Sequence, residues 1–478
     1  MKKTKIICSI GPSSAKYEVF KQMVKNGMNV ARINFSHATL EEKQTALSLV
    51  KKANEDSELN AHVAVLYDTK GPDFRTGKMT DGKIELKNGK LIDIVKDDIL
   101  GTEKAFTVNY KDALDNVSVG NEILLEDGLM RLKVKEKISN GLRCEIIDGG
   151  ILGDRKGVNV PGVNLNLDFI SEQDKEDIIY ACKHEGDFLA LSFVSSAEDV
   201  YEVRKLLKEQ GREDMQIISK VESWAAIQNI DSIIKASDGI MVARGDLGVE
   251  VAMDKLPILQ KQIIEKCRVI GRTVVVATEM LASMYTSARP TRAEVSDVAN
   301  AVLDGTDAVM LSGETTIGTH PADAVKFMAE ACKTAEDYYD YKAQKSYARV
   351  NNIPSIIAHN AVETANLIDV KLIVCATASG YTAKLIGTQK PKSYVIAACP
   401  SEDIAHSLAL NYGVYPVVSK NYDDMEALVR ECKKIATNFT SLEEGNHVLV
   451  TGGYPSIHAP KSTNFLKVET ITKDDINE

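Results

Sequence analysis

The sequence predicts an α/β protein: a (β/α)8 TIM barrel carrying an inserted small β-barrel lid domain and followed by a C-terminal α/β domain. Three observations predict it. Eight short, apolar, β-branched runs alternate with longer amphipathic stretches, the pattern of a parallel sheet that closes on itself. One connection breaks that rhythm with a series of alternating β runs. A separate α/β pattern begins after the eighth run.

The eight runs, in order, are TKIICSIG, MNVARINFS, HVAVLYDTKG, DFLALSFVSS, MQIISKVES, GIMVARGDLG, TVVVATEM and AVMLSGET. Between them EVFKQMVKNG, LEEKQTALSLVKKANE, EDVYEVRKLLKEQG and PILQKQIIEKCRVIG place apolar residues at helical spacing. Three of these stretches end in Gly, as helix C-termini often do. The break falls between HVAVLYDTKG and Asp187. It holds ELKNGKLIDIV, AFTVNY, EILLEDGLMRLKVKEKI and LRCEIIDGG, with Asn-Gly and Asp-Gly turns. The expected division is residues 1–70 and 163–338 for the barrel, 71–162 for the inserted domain and 339–478 for the last domain. That last part contains KLIVCATASG, SYVIAACP, VYPVVS, HVLVTGG and NFLKVET as strands. The sequence ends soon after NFLKVETI, so no extra C-terminal domain is expected.

The 478 residues are 44% hydrophobic, enough for full cores, and the formal net charge is -10, from 68 acidic and 58 basic side chains. No block of like charge stands out, which argues against nucleic acid or an anionic membrane as partner. The N-terminal apolar run stops at Gly11-Pro12 and reads as a first strand rather than a signal peptide. No uninterrupted apolar segment is long enough to span a bilayer. The eight cysteines are scattered without a CxxC pair, so reduced thiols in a cytoplasmic protein are expected.

Function concentrates at the carboxyl ends of barrel strands. The second run ends in Arg32, Asn34, Ser36 and His37, and the third in Asp68, Thr69 and Lys70, with Arg75 just beyond. The fifth gives Lys220 and Glu222, the sixth Arg244 and Asp246, the seventh Thr278 and Glu279, the eighth Ser312 and Glu314. One charged pair such as Lys220 and Glu222 reads equally as a buried ion pair or as a site. Six polar ends on one rim favour a site, because so many buried charges are costly unless they bind something. Glu222 and Asp246 offer hard oxygens suited to Mg²⁺ or Mn²⁺. Lys220, Arg32 and Arg75 suit phosphate oxygens. Together these are the parts of phosphoryl transfer. Asn34, Ser36, Asp68 and Thr69 form an oxygen cluster suited to a monovalent cation, although such residues also cap turns. No GxxxxGK[ST] motif is present, and the RGD triplet in ARGDLG reads as chance.

VARINFSH, YDTKGPDFRTG, RKGVNVPG, SKVES, GIMVARGDLGVE, ATEML and RPTRAEVSDVANAVLDGTDAVMLSGET, in this order, resemble the pyruvate kinase family over nearly the whole chain. The resemblance implies transfer of phosphate from phosphoenolpyruvate to ADP, giving pyruvate and ATP in glycolysis. It implies that Lys220 neutralises the transferring phosphoryl group, that Glu222 and Asp246 hold the divalent metal and that Arg32 contacts the phosphate. Thr278 and Ser312 then lie where the enolpyruvate is protonated. Asn34, Ser36, Asp68 and Thr69 match K⁺ ligands. Arg75, His37 and Lys156 would meet the nucleotide, and Gly245 would lie beside the substrate. A second divalent ion is expected to arrive with the nucleotide.

Some positions depart from the family pattern. Asp73 stands where Glu or Lys is usual, a choice that tracks K⁺ dependence, so K⁺ activation is expected. Glu279 replaces Gln, VES replaces IEN and Ser195 replaces a common Arg. The last domain resembles an effector domain. TASGYTAK offers Thr377, Ser379, Gly380 and Thr382 ahead of a helix, which suits a phosphate or, alternatively, an ordinary capped turn. TGGYPSIHAPKSTN lacks an Arg, leaving Lys461 or His458 as substitutes and the effector, a sugar phosphate or AMP, open. A homotetramer is the family expectation. Two other functions compete: a metal-dependent pyruvate aldolase or lyase on a similar barrel, and a non-catalytic sugar-phosphate sensor.

Overall fold

The computed structural model describes residues 1–163, 165, 167–341, 352–420, 424–454 and 462–477. Eight parallel strands close into a barrel: Lys5–Ser9, Val30–Asn34, Ala64–Asp68, Phe188–Leu191, Gln216–Val221, Gly239–Ala243, Thr273–Ala277 and Ala308–Leu311. Each pairs with the next in sequence, and the eighth returns to the first through Lys5↔Ala308. The strands are apolar on both faces because both are covered. Ile7, Leu66, Ile218 and Met310 fill the barrel interior. Their neighbours Ile6, Tyr67, Ile217 and Leu311 pack outward against the helices.

The helices follow their sequence signals. Leu40–Asn54 starts with a Thr39–Glu42 capping box, and Arg292–Asp304 with a Thr291–Glu294 box. Tyr17–Asn26 ends at Gly27, whose φ of 116° is open mainly to glycine. The sixth and eighth runs are shorter as strands than their sequences suggest. After Ala243 the chain enters a short helix, Arg244–Glu250, and after Leu311 another, Gly313–Thr316. Apolar pattern alone does not mark these exits; at the first of them the Gly245 N–H donates to Thr278 Oγ1 at 2.8 Å.

The inserted segment leaves the third barrel strand at Gly71. There φ is 69°, and a Cβ would stand 2.9 Å from the Ser192 carbonyl oxygen, so the exit needs glycine. The strands beyond form a six-stranded sheet and a two-stranded ribbon around one core that includes Phe74, Phe106, Leu132 and Ile146. This domain stands over the carboxyl end of the barrel. Asn159 Nδ2 donates to Glu250 Oε1 across the junction at 3.1 Å.

The last domain is a five-stranded sheet in the order Val414–Val418, Tyr394–Cys399, Leu372–Ala376, His447–Gly452, Phe465–Thr470, the last strand antiparallel. It closes the opposite, amino end of the barrel. Ala409 and Leu410 join the barrel's interior cluster. Gln216 Nε2 donates to the Ser407 carbonyl at 2.7 Å, and Asn411 Nδ2 to Thr273 Oγ1 at 3.2 Å. With one mouth plugged this way, only the other is left for chemistry. All eight cysteines are buried and free. Among the described residues no helix is long and apolar enough to cross a membrane.

Candidate active site

The open mouth and the underside of the inserted domain enclose a cleft of about 1060 Å³. At its floor the second, third, fourth and fifth strands deliver a tight charge cluster. Asn34 and Asp68 are register partners, so Arg32, two residues before Asn34, reaches Asp68 from the adjacent strand. Arg32 Nε lies 2.7 Å from Asp68 Oδ2, and its Nη1 donates to Ser9 Oγ at 2.6 Å. Lys220 Nζ lies 3.1 Å from Asp68 Oδ1 and 2.8 Å from Glu222 Oε1, and donates to Ser192 Oγ at 2.8 Å. The other Glu222 oxygen accepts the Phe193 N–H at 2.6 Å.

The electrostatics of this cluster are uneven. Burial alone would lower the Lys220 pKa, but Asp68 and Glu222 hold it above the ordinary lysine value. Asp68 is buried as well, yet Arg32 and Lys220 keep its carboxyl below the usual range. Burial pushes Glu222 up to about 7, with repulsion from Asp246 added and only partly offset by Lys220. Burial also raises Asp246. Two cations thus face three carboxyls, and the two carboxyls nearest the cleft are the strained ones. A divalent cation would relieve that surplus, and the hard oxygens of Glu222 and Asp246 suit one.

The sequence-selected residues fall into groups. Arg32, Asn34, Ser36, His37, Arg75, Lys156, Lys220, Glu222 and Asp246 all line the cleft. Asp68 and Thr69 lie buried beneath it. Asn34 Oδ1 accepts the Ser36 N–H at 3.0 Å, an ordinary turn. Asp68 serves Arg32 and Lys220, and Thr69 Oγ1 accepts the Ser192 N–H at 3.2 Å. Thr278 and Gly245 sit beside the cleft in contact with each other. Thr278 has φ 68° and Glu279 φ 55°, a left-handed pair that costs a β-branched residue about 1–3 kcal/mol. Thr278 Oγ1 donates to the Ala277 carbonyl at 2.6 Å, and its own carbonyl accepts Arg244 Nη2 at 2.8 Å. The Ser312 N–H donates to Glu314 at 2.8 Å.

Not every polar strand end faces the cleft, which narrows the sequence inventory. Arg244 turns away to Asp297 at 2.6 Å. Glu314 is buried and accepts the N–H groups of Ser312 and Leu281. Glu279 is exposed. Ser195 binds Asp199 with both its N–H and its hydroxyl, closing the start of helix Ala197–Glu209. Conversely, Ser192 and Ser9 touch the central cations although the sequence reading passed over them. Ser192 directly follows the apolar run LAL at the fourth strand's end, and that position was the signal.

The inserted domain supplies the roof. Arg75 Nε lies 2.5 Å from Asp73 Oδ2, which also meets Lys70 Nζ at 3.2 Å. Lys156 Nζ lies 2.5 Å from Glu126 Oε1.

In the last domain, Gly380 is the N-cap of helix Tyr381–Thr388, with φ 76° and no side-chain cap. Thr377 and Thr382 are buried, Ser379 is exposed, and Thr382 Oγ1 is bonded to Thr463 Oγ1. His458 and Lys461 lie outside the described residues.

Residues 1–325 match the family model described as pyruvate kinase, barrel domain, and residues 355–469 that of pyruvate kinase, alpha/beta domain. The chain is 41% identical to a pyruvate kinase of Clostridium perfringens, covering 98% of this chain and 100% of that one. It is 42% identical to a pyruvate kinase of Staphylococcus aureus, covering 98% of this chain and 81% of that one. A crystal structure of a pyruvate kinase from Cryptosporidium parvum superposes with a TM-score of 0.92 at 37% identity, covering 98% of this chain and 96% of that one.

Proposed function

We infer the division of labour in the cleft from one premise: the chain belongs to the pyruvate kinase family and transfers the phosphoryl group of phosphoenolpyruvate to ADP, giving pyruvate and ATP. It is an ATP:pyruvate 2-O-phosphotransferase of a metal-dependent family. The aldolase or lyase and sensor alternatives gain nothing from full-length matches to pyruvate kinases.

The observation that carries the assignment of roles is the Asp68–Lys220–Glu222 cluster on the cleft floor. Lys220 is held charged by two buried carboxylates and is assigned to the transferring phosphoryl group, whose negative charge it offsets in the transition state. Glu222 and Asp246 are assigned to Mg²⁺ or Mn²⁺, which when bound polarises the substrate oxygens. Arg32 is fixed by Ser9 and Asp68 so that its remaining N–H groups serve the phosphate. Thr278 and Ser312 are assigned to the region of the enol carbon, where a proton must be delivered. His37, Arg75 and Lys156 are assigned to the nucleotide phosphates, with Gly245 beside the substrate.

Asn34, Ser36, Asp68 and Thr69 are assigned to K⁺, with Asp73 as the charge that tunes this dependence. A sugar phosphate or AMP bound through Thr377, Ser379, Gly380 and Thr382 is the proposed means of allosteric control. Residues 1–70 and 163–338, 71–162 and 339–478 are proposed as barrel, lid and effector domains. A homotetramer working in the cytoplasm, in glycolysis, completes the reading, and the eight buried thiols suit a reducing compartment.

The test is the initial rate of ATP formation from phosphoenolpyruvate and ADP with Mg²⁺, in K⁺ and in Na⁺ alone. Strong activation by K⁺ is expected. Equal rates would remove the cation assignment. No ATP in either salt, or on adding sugar phosphates or AMP, would overturn the reading.

A further inference from the structure

At the barrel's amino end, far from the cleft, three side chains converge from two domains. His62 precedes the third barrel strand, while Glu402 and His406 lie on helix Glu402–Ser407 of the last domain. On that helix an i, i+4 pair shares one face. One ligand atom from each of the three lies within 4.8 Å of the other two. His62 Nδ1 is already 2.7 Å from Glu402 Oε2, and His406 Nε2 is 4.0 Å from the same oxygen.

The surroundings prepare His406 as a ligand. Asn54 Oδ1 accepts the Val63 N–H at 2.8 Å and its Nδ2 donates to the Val63 carbonyl at 3.0 Å, which fixes the amide orientation. The same Nδ2 lies 3.3 Å from His406 Nε2, a contact that the Nδ1-protonated tautomer of the ring accepts. The other ring nitrogen, Nδ1, faces Asp187 Oδ1 at 3.6 Å. Asp187 is itself anchored, its second oxygen accepting the Val65 N–H at 2.8 Å. A carboxylate behind one imidazole nitrogen, with the other nitrogen turned toward Glu402, is the arrangement that orients metal-bound histidines.

We propose that His62, Glu402 and His406 bind a Zn²⁺-type divalent ion that clamps the C-terminal domain to the base of the barrel. Two imidazoles and one carboxylate are a borderline-metal donor set, distinct from the all-oxygen pair Glu222 and Asp246. Tetrahedral zinc at its usual bond lengths spaces its ligand atoms about 3.3 Å apart. The half-exposed Glu402 side chain, 59% accessible, can swing to close the set and leaves an entry path, with water as the fourth ligand. The metal replaces the Asn54 contact at His406. Because its ligands come from both domains, binding stabilises their docked arrangement in proportion to metal occupancy.

The test is a Co²⁺ titration of the metal-stripped full chain under saturating Mg²⁺, which fills the oxygen sites of the cleft. The expected result is one further Co²⁺ per chain with the visible absorption of a four-coordinate ion, and a thermal midpoint that rises with added Zn²⁺. His62→Gln and His406→Gln keep size and polarity and should abolish both signals, with ATP formation unchanged at saturating Mg²⁺. Asp187→Asn should weaken Co²⁺ binding about ten- to a hundredfold. The proposal is overturned if no Co²⁺ binds once Mg²⁺ is saturating, or if both histidine variants bind it as the parent does.

Discussion

Lys220 Nζ stands 2.8 Å from Glu222 Oε1, two residues along the same chain, and both side chains are buried. The contact explains why a buried strand ends in opposite charges. Asp68 and, after it, this carboxylate keep the ammonium charged in a site whose burial would otherwise discharge it. Lys220→Met removes the cation but keeps much of the side chain's length. ATP formation should fall by about 10³-fold or more, while Mn²⁺ still binds. Steady-state kinetics with a parallel Mn²⁺ titration checks this, and a variant within tenfold of the parent would remove Lys220 from phosphoryl transfer.

Glu222, held near 7 by burial, predicts a pH effect on metal binding. A metal needs the carboxylate, so the proton competes with it. As pH falls below about 7 the protonated fraction grows, and apparent Mn²⁺ affinity should drop by up to about tenfold per pH unit. Above that value affinity should level off. Glu222→Gln cannot titrate and should bind weakly with a flat profile. Calorimetric titrations at several pH values decide it, and the same affinity on both sides of pH 7 contradicts the assignment.

Much of this fold was legible. The eight barrel strands, the inserted β segment and the five strands of the last sheet all coincide with runs visible in the sequence. Barrel strands covered on both faces must be continuous apolar runs, and the inserted strands, covered on one face, show alternation instead. What stayed hidden depends on contacts distant in sequence. Ser192 and Ser9 stand at strand ends but carry no charge to single them out until folding sets them against Lys220 and Arg32. Arg244 and Glu314 look catalytic by position, yet their partners Asp297, Leu281 and Ser312 absorb them. Nothing local marks Ala409 and Leu410 as the plug of the barrel. The left-handed backbone at Thr278 and Glu279 was equally invisible, since neither residue type favours it.

That strained pair supplies a third prediction. Thr278 Oγ1 accepts the Gly245 N–H and so anchors the turn that presents Asp246. Thr278→Ala loses the anchor and should lower kcat about tenfold to a hundredfold, with weaker metal binding. Thr278→Ser keeps the hydroxyl and should restore most of both. If Ala and Ser variants behave alike, the hydroxyl is not what places Asp246.

Asp73 carries the last prediction. Its Oδ2 lies between Arg75 Nε, at 2.5 Å, and Lys70 Nζ, at 3.2 Å, at the edge of the cleft. A negative charge there favours a nearby cation, while a lysine would supply a fixed positive charge in the cation's place. Asp73→Lys should therefore make the rate nearly equal in K⁺ and Na⁺, and it should also loosen Arg75, raising KM for ADP. Asp73→Glu keeps the charge and should keep K⁺ activation. Initial rates of all three proteins across a K⁺ series separate these cases. Undiminished K⁺ activation in Asp73→Lys would detach the residue from the monovalent site and leave it as an anchor for Arg75 alone.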